Sequence, residues 1–242
     1  MIKLYVVPGS NPSMSARLAL EHKGLKYERV DLIPTIHMAF LRLAGFPAPT
    51  VPALRIDSRR VQGSLAVIRA LEELRPEPPL FPGDPEGRRR VEEAERWGEA
   101  VLQPIPRRLA WWALRRERKA LRSFAEGAAL HVPIGLAIHA AGPIIRFEIR
   151  THGATDESVQ ADLRALPETL SRIDACIERG VIGGATPNAA DFQIAPSVRL
   201  LMCPDQLRPR VAERPCGRLA ARLLPEFPGR IGPVLPPTWL PG

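Results

Sequence analysis

The sequence predicts an α/β domain followed by an all-helical domain, and three observations carry that prediction. Up to Arg75, β-branched and aromatic runs alternate with helical periods. After Phe81, helix-like patterns dominate and strand signals nearly vanish. Between the two lies Pro76–Pro85, with five prolines in ten residues, too poor in amide donors for helix or sheet. We therefore place an α/β domain at residues 1–76, a linker at 77–85, and a helical-bundle domain with a Pro-rich tail at 86–242.

In the first part, the apolar run Ile2 to Val7 reads as a buried strand, followed by a turn over Pro8 to Ser13. Met14 to Lys23 reads as a helix stopped by Gly24, a C′ glycine. Tyr27 to Leu32 is a second strand. Residues 33 to 50 are irregular, with a short helix from Ile36 to Leu43. Val51 to Ile56 and Arg59 to Gln62 form a hairpin turning at Asp57-Ser58. Ser64 caps a helix whose Val67, Leu71 and Leu74 share one face. The order is β-α-β, then β-β-α.

In the second part, helices are predicted from Asp84 to Leu102 and from Arg107 to Glu126, separated by Pro104 and Pro106, and a third from Pro133 to Arg150. A fourth, Glu157 to Arg179, sets Leu163, Leu166, Leu170, Ile173 and Ile177 at alternating spacings of 3 and 4, with Gly180 as its stop. Asn188 opens a fifth, with Asp191 as the N3 acid that suits the helix dipole. Past Pro204 the chain gives a shorter helix and a Pro-rich tail, Gly232 to Gly242.

Composition narrows the function classes. With 45% hydrophobic and 25% charged residues, the 242-residue chain is globular and not disordered. Its three cysteines, Cys176, Cys203 and Cys216, stand far apart and leave an odd thiol, which argues against a disulfide framework and for a reducing, cytoplasmic compartment. The apolar start at Ile2 leaves no room for a secretory leader, and the longest mostly apolar stretch, Ile134 to Ile145, is too short to span a bilayer. The histidines, His22, His37, His131, His139 and His152, show no metal-ligand spacing. Phosphate loops, dinucleotide fingerprints and the G-x-S-x-G elbow are absent.

The net charge of +8 raises nucleic acid or another anion as a partner. Much of it is local: residues 106 to 122 carry seven bases and one acid. On a helix these bases surround Leu109, Leu114 and Leu121, the pattern of a solvated face on a packed helix, which disfavours nucleic acid; an electropositive rim for a small anion is an intermediate reading.

Three turns carry candidate chemistry. Ser10-Asn11-Pro12-Ser13 joins a strand to a helix where, in a thioredoxin-type β-α-β-β-β-α fold, a C-x-x-C dithiol would lie; both ends are Ser, so disulfide exchange is excluded. What remains is a hydroxyl at the positive end of a helix, suited to an anion such as a thiolate, or simply to capping. Val51-Pro52 opens a strand; a cis Pro52 would aim the backbone of Val51 at an extended peptide, a trans one would only mark a strand edge. Gln62-Gly63-Ser64 leads a strand into a helix N-terminus, either a small carboxylate site or another cap.

Together, PGSNPSMSARLALEHKGLKYERVDL, TVPALRID and VQGSLAVIRALEELRPEPPLFP resemble, in order and spacing, the N-terminal domain of glutathione transferases. GGATPNAADFQIAPSVRLL resembles the capping segment of the core helix in that family's all-helical second domain. The resemblance implies a cytoplasmic, homodimeric glutathione transferase with no permanent cofactor, in which glutathione is the co-substrate and a small electrophile sits between the domains. It puts Ser10, with Ser13 as fallback, at the glutathione sulfur. Val51 before Pro52 would take the cysteinyl backbone, with Asn11 and Thr50 beside it. Ser64 with Gly63, helped by Gln62, would take the γ-glutamyl carboxylate, Gly63 standing where the family commonly has an acid. His37 or Arg42 would reach the glycyl carboxylate. The electrophile would meet Arg107, Trp111, Trp112 and Trp239, with one of the adjacent tryptophans facing the core and Trp239 either covering the cleft or docked on the surface. Two alternatives stand beside this: a non-catalytic binding or scaffold protein with an anionic partner at helix 106–122, and a transferase that uses another low-molecular-weight thiol.

Overall fold

The structure, a computed structural model, describes residues 1–130, 134–139 and 141–240. The first elements are β1 (Ile2–Val6), α1 (Asn11–His22), β2 (Glu28–Asp31), α2 (Ile36–Leu43), β3 (Ala53–Ile56), β4 (Arg59–Gln62) and α3 (Ser64–Leu74). They form one four-stranded sheet in the order β2-β1-β3-β4, with β1 parallel to β2 and antiparallel to β3. Alternation along β1 explains the layers. Leu4 and Val6 point into the main core with Ala16, Leu20, Val67 and Ile68 of α1 and α3, whereas Tyr5 joins Leu41 of α2 and Phe46 on the other face. The fold is thioredoxin-like, followed by a helical part.

That part comprises α4 (Pro85–Trp97), a π-helical turn at Gly98–Leu102, α5 (Pro104–Arg116), α6 (Leu121–Phe124), α7 (Ile134–His139), α8 (Ala141–His152), α9 (Asp156–Glu178), α10 (Ala189–Leu201), α11 (Arg208–Ala212) and α12 (Pro215–Leu223). Helix α10 is buried almost all round and packs on α1, α4, α5 and α12. Its start is a reciprocal cap: Asn188 Oδ1 accepts from the Ala190 amide at 2.9 Å, and Asp191 Oδ2 accepts from the Asn188 amide at 3.0 Å. Among the described residues, no helix is long and apolar enough to cross a membrane.

Several boundaries differ from the sequence reading. Helix α1 begins at Asn11, not Met14, because Ser10 caps it and Pro12 falls in the first turn, where no intrahelical amide is needed. Pro104 and Pro106 likewise sit inside the first turn of α5 and do not separate helices; the break belongs to the π turn before them. The helix expected to run from Arg107 to Glu126 stops at Glu117, whose backbone leaves the helical region (φ −123°, ψ 71°) and whose carboxylate accepts the Gly232 amide at 2.6 Å. The helix expected from Pro133 to Arg150 is two helices, α7 and α8. Pro133, His131 and Gly242, named above, lie outside the described residues.

Buried polar groups fix the first part to the linker and to the helical part. Lys23, 1% exposed, donates to the carboxylate of Glu72 and to the carbonyls of Pro76 and Pro78. Arg69 of α3 holds the fully buried Glu95 of α4 with two bonds, 3.0 and 2.6 Å. Leu80 and Phe81 are buried, and the Arg69 guanidinium lies 4.2 Å from the Phe81 ring.

Candidate active site

A cavity of about 410 Å³ opens where the α1 start, the β3 entry and the α3 start face α5 and α8. Its first wall is made of element ends. Ser10 is the N-cap of α1: its backbone is extended (φ −71°, ψ 117°) and its Oγ accepts the Ser13 amide at 3.4 Å. Gly9 before it has φ 74°, and a Cβ there would stand 2.5 Å from the Phe124 ring, so turn and helical wall meet at a point only glycine permits. Ser10 lines the cavity. Ser13 lies inside the helix, 2% exposed, and does not line this cavity.

Asn11 touches the cavity wall, but its side chain faces inward and donates to the Gln103 carbonyl (3.1 Å) and to Ser197 Oγ (3.0 Å). It fixes the α1 start against α5 and α10. Val51 and Thr50 line the cavity, and the Val51–Pro52 bond is cis, as is Glu77–Pro78. Pro52 itself is buried and is not part of the lining. Gln62 is also absent from it: its amide donates to the carbonyls of Ala48 (2.6 Å) and Thr50 (3.1 Å) and accepts from the Ala48 amide (2.8 Å). Gln62 therefore braces the segment that presents Thr50 and Val51.

At the start of α3 the expected cap is corrected. Gly63, at φ 87°, is the N-cap residue, and Ser64 is the first helical residue with no capping bond. The Ser64 Oγ is buried without a partner and its residue lines the cavity, so the hydroxyl is left for a ligand. His37 of α2 lines the same space, and burial pushes its imidazole pKa down against the pull of Glu148. Arg42 is exposed and does not reach the cavity.

The second wall is side-chain packing. Ala110, Trp111 and Leu114 of α5, Phe124 of α6, and Ile144 and Ile145 of α8 make it apolar. Arg107 lies among them; it donates to Gln103 Oε1 at 2.7 Å, and burial pushes its pKa down while Glu148 opposes the shift. Trp112 and Trp239 are not there, which corrects both assignments. Positions 111 and 112 lie about 100° apart on a helix, so Trp112 turns into the core, 1% exposed, donating its ring N–H to Asp156 at 2.6 Å. Trp239 docks on Trp112 with ring centroids 5.3 Å apart, on that other side of α5.

Sequence reasoning missed Glu148 and His152. They stand at i and i+4 on α8, joined by a 3.1 Å contact between His152 Nε2 and Glu148 Oε2, and both line the cavity. Glu148 is 6% exposed and accepts a 3.1 Å bond from Thr35, a residue at φ 68° just before α2. The i, i+4 spacing was the available signal, but only packing puts these groups opposite the first wall. Among the described residues, no group of His, Cys, Asp or Glu could hold a metal ion.

Known proteins share this architecture. A family model for the glutathione S-transferase N-terminal domain matches residues 4–79. Glutathione S-transferase 1 of Dianthus caryophyllus is 30% identical over 176 residues, 71% of this chain and 77% of the relative. Maleylacetoacetate isomerase of Rattus norvegicus is 37% identical over 106 residues, 42% of this chain and 49% of the relative, so this chain spans about half the length of that curated relative. Among solved structures, the holo form of maleyl pyruvate isomerase, a bacterial glutathione S-transferase in Zeta class, superposes with a TM-score of 0.62 at 23% identity, covering 91% of this chain and 90% of that one.

Proposed function

Since the chain belongs to the glutathione S-transferase family, we propose that it is a glutathione-dependent enzyme in which Ser10 stabilises the glutathione thiolate for attack on a small, largely apolar electrophile. The observation that carries this reading is the N-cap geometry of Ser10 at the cavity wall. A hydroxyl has one proton and two acceptor positions. With the Ser13 amide donating to Oγ, the hydroxyl proton remains for the sulfur, and the positive end of α1 adds to it. Capping and thiolate stabilisation are thus one arrangement. A free thiol titrates near ~8.5, and such an environment lowers it toward neutrality. The thiolate then forms a carbon–sulfur bond, the electron pair leaves on the displaced group or the far end of a double bond, and no enzyme base is required.

In this reading the Val51 backbone takes the cysteinyl unit, Ser64 with the Gly63 turn takes the γ-glutamyl carboxylate, and His37 the glycyl end. Asn11 and Gln62 are positioning residues, acting through Gln103 and Ser197 and through segment 48–50. Trp111 and Arg107 meet the electrophile. Residues 1–76 and 86–242 are two domains joined by 77–85, in a cytoplasmic homodimer. Isothermal titration with glutathione, alongside S10A, tests the site: saturable binding with a lowered thiol pKa, lost in S10A, is expected, and no binding at millimolar glutathione would remove the reading.

A second reading is favoured by Arg107 and by the isomerases among the relatives: thiolate addition to a maleyl-type double bond, rotation, and departure of the thiolate. The guanidinium would pair with a substrate carboxylate. Glutathione is then regenerated, where conjugation consumes it, and following free thiol separates the two. The scaffold alternative rests on segment 106–122, where Arg108 pairs with Asp162 at 2.7 Å and Arg116 with Asp156 at 3.1 Å, while Arg115, Arg118, Lys119 and Arg122 are exposed as on a solvated helix face. Another low-molecular-weight thiol is an alternative titrant in the same experiment.

A further inference from the structure

A second cavity, about 830 Å³, lies on the other side of the Val7-Pro8 turn, which it shares as a wall with the first. Its character is opposite. Arginines reach it from five places in the chain: Arg17 on α1, Arg29 on β2, Arg199 on α10, Arg208 on α11 and Arg230 in the tail. Against them stand Asp31, already paired with Arg29 at 2.9 Å and accepting the Ala129 amide, and the exposed Glu126 and Glu226. Just outside the lining, Glu21 pairs with Arg17 at 3.2 Å and Asp205 with Arg208 at 3.0 Å, which leaves Arg199 and Arg230 as the lining arginines with no carboxylate partner among the described residues.

Two of its polar groups are left without protein partners. Ser13, 2% exposed, lines the cavity, and its Oγ has no hydrogen bond. Arg199 gives its terminal nitrogens to the Pro225 carbonyl (3.1 Å) and Met202 sulfur (3.9 Å), neither of them a carboxylate, and its buried Nε has no partner. Burial and the nearby Arg208 both push the Arg199 pKa down. A half-buried guanidinium with no counter-charge beside another guanidinium is unfavourable until an anion arrives.

We propose that this cavity is a binding site for a small phosphate-bearing anion, held by the Arg199 guanidinium and the Ser13 hydroxyl, with Arg208 and Arg17 shared between the anion and their exposed partners Asp205 and Glu21. Phosphate is the class chosen because guanidinium forks match its oxygens in paired bonds, and several guanidiniums can share one multiply charged group. The site is independent of the glutathione reading, since it uses neither Ser10 nor Ser64.

The test is isothermal titration of the whole chain with pyrophosphate and, separately, with glycerol phosphate, each repeated with saturating glutathione. Saturable binding of either probe, unchanged by glutathione and weakened about tenfold or more in R199Q and R208Q, is expected. R96Q, an exposed position on α4 outside the cavity, should bind as wild type. Tighter binding of the ester would assign the site to phosphate monoesters, equal or weaker binding to the inorganic ion. Absence of saturable binding at millimolar probe, equal weakening in R96Q, or displacement by glutathione would overturn the proposal. If R199Q fails to fold, R17Q carries the same expectation.

Discussion

The two walls of the 410 Å³ cavity are built by different means. On the α/β wall, Ser10, Val51, Gly63 and Ser64 occupy the ends of strands and helices, where backbone and cap groups lack partners by construction. On the helical wall, Arg107 and Trp111 of α5 and Glu148 and His152 of α8, the last at the helix end, owe their position to packing between α5, α8 and the loop before α2. The first wall suits a ligand with fixed peptide-like groups; the second suits one whose shape varies. Substitutions should separate accordingly, with effects on glutathione from one wall and effects on the electrophile from the other.

S10A should show the largest effect. Loss of a hydrogen bond to a charged sulfur is worth about 1.5–3 kcal/mol, so kcat/KM in a conjugation assay should fall on the order of 10- to 100-fold, through kcat more than through KM. S64A comes next. Its loss should weaken glutathione binding by about tenfold in calorimetry and leave turnover at saturation near wild type. R107L should leave glutathione affinity unchanged and lower kcat/KM by about tenfold for a carboxylate-bearing electrophile, but not for a neutral one. If it weakens glutathione instead, the division between walls fails. W111A should raise KM for an apolar electrophile several-fold without changing the glutathione KM.

The smallest expected effect lies outside the cavity. The Trp112 ring N–H, followed by Arg116, holds the Asp156 carboxyl below its ordinary pKa. A carboxyl lowered on folding stabilises the native state above its unfolded pKa, and that contribution is lost as pH falls through the folded value. D156N should therefore lower the unfolding free energy slightly at pH 7, by less than about 1 kcal/mol for so exposed a pair, seen as a small drop in Tm, and the difference should vanish in strong acid.

The contrast between the walls also explains what the sequence made legible. Strands, the cap at Asn188 and Asp191, and the turns at Ser10 and Ser64 follow from local chemistry, so their positions could be read before any packing was known. Gln62 looked like a ligand because it stands beside Ser64, and only the 48–50 segment folding back on it reveals a brace. Trp112 and Trp239 looked like cleft aromatics; the rotation of α5 and the path of the tail, set by long-range contacts such as Glu117 to Gly232, send them elsewhere. Glu148 and His152 carried only a generic helical spacing, and their place opposite the cap of α1 depends on a contact with Thr35 113 residues away.

The most direct measurement is the thiolate ultraviolet absorbance of bound glutathione, titrated with pH in wild type and S10A. If Ser10 stabilises the thiolate, the wild-type thiol pKa lies well below the free value of ~8.5 and returns toward that value in S10A at saturating ligand. A bound thiol that titrates like free glutathione in the wild type, or a lowered pKa that survives S10A, would contradict it.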